Sequence, residues 1–172
     1  MKTKKLILYA FFAALTAVCS MITIPLPFTP VPVNLATLSV FLAGGLLGAR
    51  GGAASLSVYV FLGAIGLPVF NGFTGGFGVL AGPTGGYLLG YIAAAWVTGL
   101  VTARLGHGFY RNIAAMVAGL AVCYTLGTLW FMHITAIGLQ AALMMCVVPF
   151  LIGDAVKILA AAILTGRLYK LV

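Results

Sequence analysis

Apolar residues along this 172-residue chain fall into six blocks, at about 6–24, 34–49, 52–67, 84–104, 113–132 and 141–167, and most polar or charged positions lie between them. Blocks this long and this apolar predict membrane helices, for which a full crossing needs roughly 17 residues or more. The second and third blocks lie near that limit, so they are expected to stop in a loop that dips back into the protein. The pattern predicts an all-α integral membrane fold of six spans, built as one membrane domain over 1–172.

The intervals between blocks alternate in character. Lys2, Lys4 and Lys5 precede the first block, Arg50 separates the second from the third, Arg104 and Arg111 flank the fourth connection, and Arg167 and Lys170 close the last block. The three connections on the opposite side (25–33, 68–83 and 133–140) hold no lysine or arginine. Basic residues mark the cytoplasmic side of membrane proteins, so both termini are expected to be cytoplasmic. The first outer connection has four prolines between Pro25 and Val33, which block helix and favour a stiff extended path. The second, Asn71 to Tyr87, has seven glycines interleaved with Phe73, Phe77 and Tyr87. A backbone so free of side chains can approach a ligand closely, and the alternation with aromatics reads as a lid over a cavity.

Composition excludes several classes. Only 6% of the residues are charged and 63% are hydrophobic, far from the roughly 25% charged residues of a soluble domain. The net charge of +8 is spread in ones and twos, as topology signals are, and forms no track for a nucleic-acid backbone. Cys19, Cys123 and Cys146 have no paired spacing and read as small packing residues. His107 and His133 fall on opposite sides of the membrane, so no metal site assembles. No nucleophile–base constellation and no P-loop is present, which argues against an enzyme. Gly76-Phe-Gly78-Val-Leu-Ala81 formally matches a dinucleotide fingerprint, but it lacks the strand and the acidic residue that the fingerprint needs. The basic start followed by Leu6–Ile24 imitates a signal peptide. Its apolar run is too long, and Val18 before Cys19 is not the small residue a lipoprotein box requires, so it reads as a retained first helix.

One feature stands apart. Asp154 is the only acidic residue of the chain, and it lies inside the last block with Lys157 three positions on. Three-residue spacing puts both side chains on one helix face, where they can neutralise each other and also offer an acceptor and a donor to a polar ligand. A structural ion pair returns little net stability in an apolar setting, so a ligand role explains the charge better. Asp154 lies about 20 Å of helix rise from Arg167, which places it in the outer half of the membrane, near the glycine-rich connection. Gly82-Pro-Thr84 opens the fourth block, and the free amides there are a candidate for a ligand carboxylate, although a plain helix start fits equally. Ala10, Ala13, Ala14 and Ala17 form a smooth strip on the first helix, suited to close packing by a helix of the same chain or of a membrane partner.

Pro30-Val-Pro32, Gly66-Leu-Pro-Val-Phe70, Gly75-Gly76, Gly82-Pro-Thr-Gly-Gly-Tyr-Leu88 and Asp154-x-x-Lys157 together resemble the BioY family, the biotin-specific S components of energy-coupling-factor (ECF) transporters. The resemblance covers nearly the whole chain. It implies a six-helix fold in the cytoplasmic membrane of a bacterium or archaeon that captures biotin from outside, with biotin as cargo and no cofactor. It also implies docking onto a transmembrane coupling protein carrying two ATPase subunits, with the alanine strip as the docking surface. Asp154 would then accept a ureido N–H and Lys157 would serve a ligand oxygen. Tyr87, Phe70 and Phe73 would cover the bicycle, and Asn71 or Thr84 would add a hydrogen bond. Ala36 stands where the family leads one to expect glutamine, so no contact is assigned there. Three other readings remain at this stage: a solitary biotin carrier or channel, an S component for another small vitamin, and, least supported, a membrane enzyme.

Overall fold

The computed structural model describes residues 2–170. Helix α1 (Lys2–Met21) leads into a two-stranded antiparallel hairpin, β1 (Thr23–Leu26) and β2 (Thr29–Asn34). Thr23 pairs with Asn34 and Leu26 with Thr29, and the ladder is irregular between Ile24 and Leu26, where Pro25 has no N–H to donate. The proline-rich connection is therefore extended, as its composition demands, and it adds a small β element to a helical fold.

Helical backbone then runs over α2 (Ala36–Ala64) with one interruption, Gly48, at φ 72° and ψ 179°. That interruption reverses the chain. A side-chain carbon built on Gly52 would lie 3.0 Å from Gly44 Cα, although eight positions separate the two glycines. One straight helix would hold them about 12 Å apart. The two ends of the segment agree, since Asn34 just before α2 and Asn71 just after it are hydrogen-bonded at 2.6 Å. The segment is thus a helical hairpin whose arms, 36–47 and 49–64, meet at a single glycine. The expected loop between the second and third blocks does not exist. Left-handed φ is cheap only for glycine, and Gly48 takes the whole turn.

After α2 the chain folds into a compact outer loop with a 3-10 turn (Asn71–Phe73) and the short α3 (Phe77–Ala81). Helices α4 (Gly85–Leu105) and α5 (Phe109–Thr135) follow as an antiparallel pair. The last block is broken. Helix α6 (Leu139–Cys146) ends at Val147, a 3-10 turn (Val148–Phe150) intervenes, and α7 (Leu151–Leu168) completes the pass. The break comes from Pro149, whose ring cannot donate the next helical hydrogen bond.

Five helical stretches among the described residues are long and apolar enough to cross a membrane; α2 is one of them, and its reversal brings the passes to six. The surface is apolar around the bundle, with Phe11, Phe61, Trp96, Val117, Leu129, Ile152 and Val156 all exposed, as a lipid-facing surface requires. The arms of α2 pack on α1, α4 and α7. Close approach of α2 to α4 depends on Gly99, where a methyl would lie 2.2 Å from the Ala49 nitrogen.

Gly99→Leu is therefore expected to overpack this contact by about 1–3 kcal/mol and to lower the melting temperature in detergent. Gly78→Ala, at a position open to space, is the control and should melt as the parent does. Equal melting of Gly99→Leu and the parent would contradict the close crossing.

Candidate functional site

A chamber opens between β2 and the nearby ends of α2, α4, α5 and α7, enclosing about 490 Å³ of atom-free space including its mouth. Asp154 and Lys157 form its floor, from the first turns of α7, and they are only 2% and 8% exposed. Their positions follow from helix periodicity. Asp154, Lys157, Ile158, Ala161 and Thr165 share the buried face of α7, while Ile152, Val156, Leu159 and Ile163 point outward.

The hydrogen bonds around this pair can be counted. Lys157 Nζ lies 2.8 Å from Asp154 Oδ1. Thr37 Oγ1 donates to the same oxygen at 2.8 Å and accepts from Lys157 Nζ at 3.1 Å. Tyr124 Oη donates to the other oxygen, Asp154 Oδ2. A carboxylate offers about four lone-pair sites and an ammonium three protons. Three of the first and two of the second are engaged, so the floor has one acceptor site and one donor proton left, close together. That residue of capacity matches a planar group carrying an N–H beside a C=O.

Above the floor, Tyr87 is buried and its hydroxyl donates to the Cys146 carbonyl at 3.3 Å, with Thr128 Oγ1 also at 3.3 Å. Asn71 and Thr84 also line the chamber, as do Val31, Pro32 and Asn34 of the hairpin. The outer connections thus wall the chamber, although not through all the residues expected. Phe70 is fully buried outside it, its ring on Gly63 and edge-on to Tyr59 at 5.6 Å. The ring occupies the space that Gly63 leaves, and a methyl there would overlap it at 2.1 Å. Phe73 is 66% exposed and points away, on a backbone with φ 60°. Neither aromatic covers the chamber. The start of α4 also offers less than expected, because the Gly85 and Tyr87 amides already bond the Gly82 and Thr84 carbonyls.

Sequence reasoning missed Thr37, Tyr124, Asn34 and Tyr91, all of which border the chamber, and it read Cys123 and Cys146 as packing residues when both are in its wall. One signal was available: a buried carboxylate requires hydroxyl donors, and Thr37 and Tyr124 are hydroxyls within otherwise apolar spans.

The alanines of α1 lie at a separate place. Ala10 and Ala14 are exposed, Ala17 is half-buried, and Ala13 is buried against the bundle. All four border an open apolar groove shared with Val58, Leu62 and Val69.

The sequence model of the BioY family matches residues 1–172. The chain belongs to the BioY family. It is 42% identical over 168 residues to the biotin transporter BioY of Thermotoga maritima, covering 98% of this chain and 97% of that one. It is 38% identical over 178 residues to the biotin transporter BioY of Rhizobium etli, with 97% and 93% covered. Among solved structures, the S component for biotin from an ECF-type ABC transporter superposes with a TM-score of 0.91 at 29% identity, covering 98% of this chain and 92% of that one. The family is one of membrane transporters, not enzymes.

The charge count generates a stability prediction. Lys157→Met leaves a buried carboxylate without its cation and should cost about 3–5 kcal/mol. Adding Asp154→Asn should return much of that loss, read as melting temperature in detergent. Indistinguishable melting of the single and double variants would contradict the paired charges.

Proposed function

We propose that this chain captures biotin at the outer side of the cytoplasmic membrane and delivers it inward as the substrate-binding subunit of an ECF-type transporter. The observation that carries the reading is the spare acceptor and donor at Asp154 and Lys157. A ureido group has an N–H next to a C=O, so one edge of it satisfies both. Asp154 then accepts the ureido N–H, and Lys157 donates to an oxygen of the ligand. Tyr87 lies against the apolar bicycle, and Asn71 or Thr84 supplies a further hydrogen bond near the mouth.

Membership of the family supports the same reading, as do relatives that are themselves biotin transporters. The likeness to an S component of an ECF-type transporter supports uptake that relies on a transmembrane coupling protein with two ATPase subunits. Ala10, Ala14 and Ala17 offer the smooth face on which a helix of that protein can seat. The eight cations on one side of the bundle support an orientation with both termini in the cytoplasm and the chamber mouth outside.

Calorimetric titration of the purified chain should give tight binding of biotin and none of thiamine or riboflavin. Asp154→Asn should weaken biotin binding by about thirtyfold or more, as expected when one partner of a buried charge pair is altered. Unchanged affinity would remove Asp154 from the site. Ala14→Leu should leave binding intact and reduce uptake in cells that carry the coupling module, and normal uptake would refute the docking face. In sealed vesicles the chain alone should bind biotin without accumulating it; accumulation would favour a solitary carrier.

A further inference from the structure

Ser20, in the last turn of α1, is fully buried and touches the chamber only through its hydrogen bond to Asn71. Tyr59 Oη donates to Ser20 Oγ at 2.9 Å, and Ser20 Oγ donates to Asn71 Oδ1 at 3.0 Å. Asn34 Nδ2 donates to the same Asn71 oxygen at 2.6 Å. The directions in this chain of bonds are determined. Asn34 Oδ1 accepts the backbone N–H of Ala36 at 2.9 Å, and only the oxygen of a carboxamide can do that. The Asn34 nitrogen must therefore face Asn71, and Asn71 must present its oxygen to it. Ser20, already receiving the Tyr59 proton, has its own proton to give to that oxygen. Both lone pairs of Asn71 Oδ1 are occupied, and the Asn71 nitrogen is left as the unengaged end of a side chain that borders the chamber.

We infer that Ser20 is a positioning residue for the ligand: it locks the Asn71 carboxamide so that its NH2 group serves the chamber as a donor to a ligand oxygen. This rests on the biotin reading above and adds the polarity of one wall to it. Without Ser20 the carboxamide loses one of the two bonds that forbid its flip, and a flipped Asn71 would turn an acceptor toward a ligand oxygen.

The test is a double-mutant cycle on the full-length chain, read as biotin affinity by calorimetry. Ser20→Ala should weaken binding about tenfold, the scale of one lost buried hydrogen bond, and Ser20→Thr, which keeps the hydroxyl, should restore most of it. In an Asn71→Ala background the Ser20→Ala change should cost less than about twofold, because its object is gone. A merely structural serine would lower affinity equally in both backgrounds, and multiplicative losses would overturn the inference. Tyr59→Phe, which keeps the ring and removes the first donor, runs the same cycle should Ser20→Ala fail to fold. Unaltered chain that binds no biotin would overturn the function and this inference together. Unaltered chain that binds biotin, with Ser20→Ala binding equally well, would overturn this inference alone.

Discussion

A carboxylate held inside an apolar bundle, at the end that carries the hairpin and the glycine-rich connection, constrains everything around it. Asp154 persists there because Lys157 neutralises it and two hydroxyls from other helices, Thr37 and Tyr124, complete its hydrogen bonds. Each of those groups must arrive from a different element: α7 supplies the pair, α2 the threonine and α5 the tyrosine. The chamber is therefore a by-product of solvation. The protein replaces the water that the charge has lost, and it stops one hydrogen bond short on each partner. Such a site is preorganised, since its dipoles are oriented before any guest arrives, and a guest that completes the set gains more than it would against relaxed water.

Bringing Thr37 within reach of α7 requires thin helices. The two arms of α2 turn on one glycine and touch through Gly44 and Gly52, and α4 crosses the turn at Gly99. Replacing the expected loop with a single residue keeps the hairpin short and rigid, so its outer end is set by the helices and not by a flexible connection. The same end carries Asn34, which bonds the first free amide of α2 and a wall of the chamber at once. One side chain thus links helix initiation to site geometry, because a helix start leaves backbone donors that need a partner.

Six apolar passes, the one-sided distribution of arginine and lysine, and the i, i+3 spacing of the lone acid with a lysine were all legible in the sequence, because each is a local or compositional property. What was not legible depended on register between helices distant in sequence. Thr37 follows Ala36 at the start of α2, and nothing local in the sequence says that it meets α7. Phe70 and Phe73 illustrate the converse. Both are aromatic and both border the glycine-rich connection, yet Gly63 draws one into the core and a left-handed backbone turns the other outward. The reversal at Gly48 was hidden for a similar reason, since a glycine flanked by Leu47 and Ala49 reads equally well as an ordinary position in a packed helix.

The lone acid has an electrical corollary at the opposite end of the bundle. With Asp154 enclosed beside Lys157, the inner rim of Arg50, Arg104, Arg111 and Arg167 has no carboxylate side chain of its own to offset it. In the orientation proposed above, the resting potential of a cell, negative inside, pulls on this rim. Carrying one such charge outward against 100 mV costs about 2.3 kcal/mol. The rim therefore acts as a voltage-loaded keel, and whatever motion hands cargo to the interior must either leave the keel where it lies or carry it deeper into the cell.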